Sequence, residues 1–127
     1  MDTTKKIKVL FVEDDVDVAF IYSREFEKEN FIVVNAYNGE DGLLMAKDEK
    51  PDIIILDIML PGINGLDVLK ELKSSPTTLN IPVILLTALS DDSTIKEGFI
   101  RQADSYLIKS FQNTKLVVDE VKNVLKL

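Results

Sequence analysis

Five short apolar runs punctuate the chain, and between them apolar residues recur at helical spacing. Ile7–Val12, apolar but for Lys8, is β-branched in character, which predicts a strand. Asp17–Asn30 places Val18, Ile21, Tyr22 and Phe26 on one helical stripe and leaves Phe20 off it. Phe31–Ala36 reads as a second strand, and Gly39–Lys47 as a short helix carrying Leu43, Leu44 and Ala46. Ile53–Leu56 and Val83–Leu86 are apolar at every position, as strands covered on both faces are. Gly65–Lys73 spaces Leu66, Leu69 and Leu72 for a helix, and Asp91–Arg101 is a fourth helix. Ser105–Ile108 is the fifth strand, and Thr114–Leu127 closes with Val117, Val121, Val124 and Leu125 on one stripe.

Strand and helix therefore alternate five times. The expected fold is α/β, a single doubly wound (βα)5 domain of flavodoxin-like type. Its five-stranded parallel sheet takes the order 2-1-3-4-5, with helices on both faces. A length of 127 residues suits one domain. Pro51, Pro61, Pro76 and Pro82 all fall between elements. No linker, repeat or low-complexity segment is visible. The chain ends with its fifth helix, so residues 1–127 are expected to form one domain with no room for an output domain.

Composition narrows the chemistry. There is no cysteine and no histidine, which excludes disulfides, thiolate chemistry, phosphohistidine, a Ser-His-Asp triad and His- or Cys-bound metal. Any metal must be held by oxygen, which favours Mg²⁺, Mn²⁺ or Ca²⁺. A net charge of −7 argues against direct nucleic-acid binding, which needs clustered Lys and Arg. No stretch approaches the run of about 20 apolar residues that spans a bilayer. Met1–Lys6 is polar and is not read as a signal peptide, so a cytoplasmic location is expected.

The polar residues gather once placed on this scaffold. Glu13, Asp14 and Asp15 follow the first strand, Asp57 the third, Thr87 closes the fourth and Lys109 follows the fifth. All lie at carboxyl ends of parallel strands, where open α/β sheets bind ligands. The predicted order makes strands one and three neighbours, which would bring Glu13, Asp14 and Asp57 together. Two carboxylates about 4 Å apart repel by roughly 4 kcal/mol at an effective dielectric near 20. Such a cluster needs cations, and Lys109 with a divalent ion would supply them. Taken singly, Asp15 or Asp17 is better read as a helix cap. A carboxylate in this setting can attack phosphorus and form an acyl phosphate, and Asp57, fixed behind a buried strand, is the candidate nucleophile.

Four motifs then stand in order: V-E-D-D at Val12–Asp15, I-L-D-I-M-L-P-G-I-N-G at Ile55–Gly65, I-P-V-I-L-L-T-A at Ile81–Ala88 and A-D-S-Y-L-I-K-S-F at Ala103–Phe111. With them the chain resembles the receiver domain of two-component response regulators, of the chemotaxis-regulator kind, over essentially its whole length. The resemblance implies that Asp57 accepts a phosphoryl group. It makes Asp14 a direct metal ligand, Glu13 a ligand through water, and the Met59 backbone carbonyl a further ligand, for Mg²⁺ or Mn²⁺. It makes Lys109 the phosphate-binding lysine, Thr87 the hydroxyl that moves to the phosphoryl group, and Tyr106 the aromatic that swings inward when Thr87 moves. The implied donor is a histidine kinase or a histidine phosphotransfer protein. The α4-β5-α5 surface that switches would then address a downstream protein. No substrate turnover is expected.

Three departures qualify the resemblance. Ser110 stands where the family usually has a proline joined by a cis bond, which leaves the geometry of the Lys109 loop open. Gln102 stands where glycine often ends the fourth helix, and Gln tolerates a left-handed backbone poorly, so a different helix end is expected. In the winged-helix branch an acid on the fifth strand pairs with a base on the last helix. Here those places hold Ser105 and, without gaps, Asp119, so that pairing is not expected and a monomer is expected before phosphorylation. Phe20, off the core stripe, is a candidate contact for the phosphodonor protein. Competing readings are weaker. An aspartyl phosphatase of haloacid dehalogenase type needs an acid where Met59 stands. A flavodoxin needs a Ser/Thr/Gly phosphate loop where Glu13, Asp14 and Asp15 would repel the flavin phosphate. A pseudo-receiver that only binds partners is at odds with the intact acidic set.

Overall fold

The structure is a computed structural model that describes residues 6–127. The reading of Met1–Lys6 as no signal peptide thus falls, but for Lys6, outside the described residues. Ten elements follow in strict alternation: β1 (Lys8–Val12), α1 (Val16–Lys28), β2 (Ile32–Ala36), α2 (Gly39–Asp48), β3 (Ile53–Leu56), α3 (Gly65–Ser74), β4 (Val83–Thr87), α4 (Asp92–Ile100), β5 (Ser105–Ile108) and α5 (Lys115–Leu125). The five strands form one parallel sheet in the order β2-β1-β3-β4-β5. This is the expected doubly wound, flavodoxin-like architecture.

Period-two geometry divides each buried strand between two cores. Leu10, Val12, Ile54, Leu56, Val83 and Leu85 face Ala46 of α2 and Val68, Leu69 and Leu72 of α3. Val9, Phe11, Ile53, Ile55, Ile84 and Leu86 face Tyr22 and Phe26 of α1 and Val117, Val118 and Val121 of α5. Short polar side chains start four of the helices. Asp15, Asn38, Asn64 and Asp91 each accept a hydrogen bond from an amide in the first turn of α1, α2, α3 and α4. Thr114 makes no such bond at α5; its hydroxyl donates instead to Glu25 Oε1 at 2.8 Å, tying α5 to α1.

Several expectations are corrected here. Ile21 is 42% exposed, because the buried residues of α1 are Ala19, Tyr22, Ser23 and Phe26. At about 100° per residue, a stripe centred on those positions turns Ile21 outward. Leu44 of α2 is exposed as well. Gln102 does take the left-handed backbone, with φ of 75°, so the end of α4 keeps the form glycine would give it. Its amide and that of Ala103 donate to Phe99 and Gly98 carbonyls, which ends the helix with paired groups. The peptide bonds are all trans among the described residues, the Lys109–Ser110 bond included. The Ser105 hydroxyl donates to Glu120 Oε2 at 2.5 Å, a hydrogen bond within the chain and not the acid–base pair of the winged-helix branch.

The cap of α4 gives an acid-sensitive signature. The Thr94 hydroxyl, then the Ser93 hydroxyl and the Thr94 amide, hold the Asp91 carboxyl down from 3.8 to about 2. A depressed folded value contributes stability that is present above 3.8 and is lost as pH falls toward about 2. Asp91→Ala is therefore expected to lower the melting temperature at neutral pH. The gap to the native chain should narrow as pH falls through that window, which thermal melts at a series of pH values will show.

Candidate functional site

The sheet delivers the site through its last ladder bonds. The Glu13 amide donates to Ala36 O at 3.0 Å, the Asp57 amide to Val12 O at 3.0 Å, and the Lys109 amide to Thr87 O at 2.9 Å. Each functional residue is thus the first after a paired strand position, held by a neighbouring strand rather than by a free loop. Val12 and Leu56 are register partners, so Glu13 and Asp57 emerge side by side.

Carboxylate oxygens of Glu13, Asp14 and Asp57 all lie within 4.8 Å of one another. Glu13 and Asp57 are buried, at 1% and 3% exposure, while Asp14 is exposed at the rim. Lys109 Nζ sits 2.7 Å from Asp57 Oδ2 and 2.5 Å from Glu13 Oε1. Glu13 Oε1 is buried and has the ammonium as its partner. The other Glu13 oxygen accepts from the Asp15 amide at 3.0 Å. Asp57 Oδ1 accepts from the Met59 amide at 3.2 Å.

The charges do not balance within the protein. Three ionised carboxylates and one ammonium leave −2 in a partly desolvated pocket. Burial is the largest influence on Glu13 and pushes its carboxyl above the ordinary range, with Asp57 adding to it, against the opposing pull of Lys109 and the Asp15 amide. Burial works against the Lys109 ammonium too, but its bonds to Asp57 and Glu13 outweigh that and hold it above its ordinary value. An excess of two negative charges and an all-oxygen donor set fit a hard divalent cation.

Thr87 and Tyr106 converge on a third residue rather than on the carboxylates. Thr87 is fully buried, and its Oγ1 accepts from the Leu89 amide at 3.4 Å. The Tyr106 hydroxyl donates to the Leu89 carbonyl at 2.7 Å. Leu89, just past β4, is thus joined to both residues through its backbone. Gly65 opens α3 against the end of β3: a Cβ there would lie 2.1 Å from the Asp57 carbonyl oxygen and 2.6 Å from Ile58 Cα.

This arrangement has known counterparts. The family model described as response regulator receiver domain matches residues 9–119. The chain belongs to that family. Among curated relatives, the transcriptional regulatory protein ResD of Bacillus subtilis is 30% identical over 126 residues, covering 99% of this chain and 51% of ResD. The response regulator ArlR of Staphylococcus saprophyticus is 38% identical over 110 residues, covering 87% of this chain and 49% of ArlR. The chain thus spans about half the length of the curated relatives it matches. A putative response regulator from Chloroflexus aurantiacus superposes with a TM-score of 0.87 at 34% identity, covering 97% of this chain and all of that one. Receiver domains are signalling domains, and this one has, among its described residues, no helix long and apolar enough to cross a membrane.

Within this receiver domain the structure brings Glu13, Asp14, Asp57 and Lys109 into one cluster and sets Thr87 and Tyr106 beside it through Leu89. Met59 meets Asp57 through its amide, and its side chain is exposed. Sequence reading missed Leu89, whose contribution is entirely main-chain. It also placed Tyr22 in the core without asking where its hydroxyl goes. A phenol on an otherwise apolar stripe was the available signal, since buried tyrosines seek a polar partner.

Proposed function

We propose that Asp57 is the phosphoacceptor of a two-component phosphorelay, served by a histidine kinase or a histidine phosphotransfer protein. The observation that carries this reading is the buried Asp57 carboxylate, held between the Lys109 ammonium and the Met59 amide within 4.8 Å of two further carboxylates. An Asp57 oxygen attacks phosphorus, the donor's P–N bond breaks with its electron pair going to nitrogen, and an acyl phosphate forms as the donor imidazole, already protonated at its other ring nitrogen, leaves neutral. Lys109 then gives one phosphoryl oxygen a point-charge partner. Glu13, Asp14, Asp57 and the Met59 carbonyl would hold Mg²⁺ or Mn²⁺, which draws charge from the phosphoryl oxygens when bound. Among the relatives, ResD carries the name of a transcriptional regulator, but a net charge of −7 argues against direct nucleic-acid binding by this domain. We read the whole of 1–127 as the receiver unit, a cytoplasmic monomer before phosphorylation, whose product is a changed α4-β5-α5 surface for a protein target.

The test is direct. With acetyl phosphate and millimolar MgCl₂ the chain is expected to gain the mass of one phosphoryl group, and little or none in excess EDTA. Magnesium alone should raise the melting temperature, because only the folded state assembles the site. Asp14→Ala should lose that rise. An unchanged melting temperature in the native chain contradicts the metal assignment.

The switch is read as a population shift. Phosphorylation would draw the Thr87 hydroxyl from the long Leu89 contact, and the freed Leu89 segment would carry the Tyr106 ring with it. Thr87→Ala should keep the magnesium response and still accept a phosphoryl group. NMR shifts of Tyr106 on adding beryllofluoride should shrink to a minor fraction of the native change. A full Tyr106 response without the hydroxyl would place the coupling elsewhere.

A further inference from the structure

The sheet stops supporting the Lys109 segment one residue too early. The Lys109 amide makes the last ladder bond, to Thr87 O. Ser110 follows by a trans peptide and has no strand beside it to pair its backbone. Both of its backbone groups go instead to one side chain. The Ser110 amide donates to the Tyr22 hydroxyl at 3.0 Å, and that hydroxyl donates to the Ser110 carbonyl at 3.2 Å. A phenol has one donor and an acceptor oxygen, so this reciprocal pair uses both. Tyr22 is fully buried on α1, its ring packed between Phe11 of β1 at 5.7 Å and Phe111 at 5.9 Å between centroids. The ring is therefore fixed by the core, and the hydroxyl transmits that fixity to the residue after Lys109. A buried hydroxyl without such partners is costly, so the bond is held from both ends.

We propose that Tyr22 is a positioning residue for Lys109. It clamps the Ser110 backbone so that the ammonium stays on Asp57 and Glu13 as phosphorus approaches. The role rests on the reading of Asp57 as phosphoacceptor. Tyr22→Phe is the informative variant, since it keeps the ring contacts and deletes only the clamp.

Phosphorylation by acetyl phosphate in Tyr22→Phe is expected to slow on the order of tenfold, the scale of a slightly misplaced catalytic group. Magnesium should still raise the melting temperature, by at least as much as in the native chain, because Glu13, Asp14 and Asp57 are untouched and a looser ammonium leaves more of their charge to the metal. In a Lys109→Ala background the same substitution should alter the rate by less than about twofold, because the group it positions is gone. As a second readout, the Lys109 side-chain resonances should shift in Tyr22→Phe and report a looser ammonium. Equal slowing in both backgrounds, or loss of the magnesium response together with the rate, overturns the role by making Tyr22 a general structural residue. A native rate in Tyr22→Phe overturns it as well. A native chain that takes no phosphoryl group at all contradicts the phosphoacceptor reading instead, and the Lys109 resonances then decide the clamp separately.

Discussion

Gly65→Ala is expected to cost about 3 kcal/mol of stability and most of the phosphorylation rate, although it adds a single methyl group. The added carbon would meet backbone, at 2.1 Å from the Asp57 carbonyl oxygen and 2.6 Å from Ile58 Cα. Neither neighbour can rotate away as a side chain would. The Gly65 amide also donates to Ile58 O at 2.8 Å, so α3 cannot simply retreat without breaking that bond. The strain has two outlets: α3 shifts outward and draws its own Val68 and Leu69 away from the core, or the end of β3 moves and takes Asp57 with it. Urea melts will give the stability, and intact-mass time courses the rate. A fully native rate in a destabilised protein would show that α3 alone yields, and that Gly65 does not set the acceptor's position.

Lys109→Ala should produce the largest change in charge balance. The ammonium lies within 2.7 Å of two carboxylates that are at most 3% exposed. Removing one partner of a buried ion pair typically costs about 3–5 kcal/mol, because the remaining charges are left without compensation. The net charge of the cluster falls from −2 to −3 if its carboxylates remain ionised. The apo protein should therefore melt well below the native chain. Magnesium should recover more of the loss than it adds to the native protein, because it becomes the main cation in the cluster. Phosphorylation should nevertheless slow by about 10²–10³-fold, the usual loss when one preorganised charge partner of the reacting group is removed. Equal magnesium responses in the two proteins would mean that Lys109 and the metal do not share these carboxylates.

The topology and the acidic edge were legible because both follow from coarse patterns. Ile53–Leu56 and Val83–Leu86 are apolar at every position, as strands between two layers must be, and β3 and β4 occupy the centre of the sheet. Once β1 and β3 are adjacent, residues that follow them in sequence must meet, and Glu13 and Asp57 do. What the sequence hid lies below that grain. Ile21 and Tyr22 are both large and adjacent, and only the small residues Ala19 and Ser23 fix which way α1 faces. The Ser105 hydroxyl finds Glu120, a partner that only the packing of α5 beside β5 brings to it. Gln102 accepts a left-handed backbone because the Phe99 and Gly98 carbonyls are paired there, which offsets a preference stated for Gln in isolation. Leu89 acts through its amide and carbonyl, which every residue has, so no residue type could have marked it.

The proposed phosphoryl bond is to the Asp57 carboxylate. Chemical trapping reads that bond at its own position. The chain is phosphorylated with acetyl phosphate and magnesium, reduced with borohydride, which converts an aspartyl phosphate to homoserine, and mapped by peptide mass spectrometry. Homoserine is expected at position 57 and at no other acidic residue, with none formed in Asp57→Asn. Homoserine at Glu13's neighbour Asp14, or an undiminished phosphoryl gain in Asp57→Asn, would contradict that assignment.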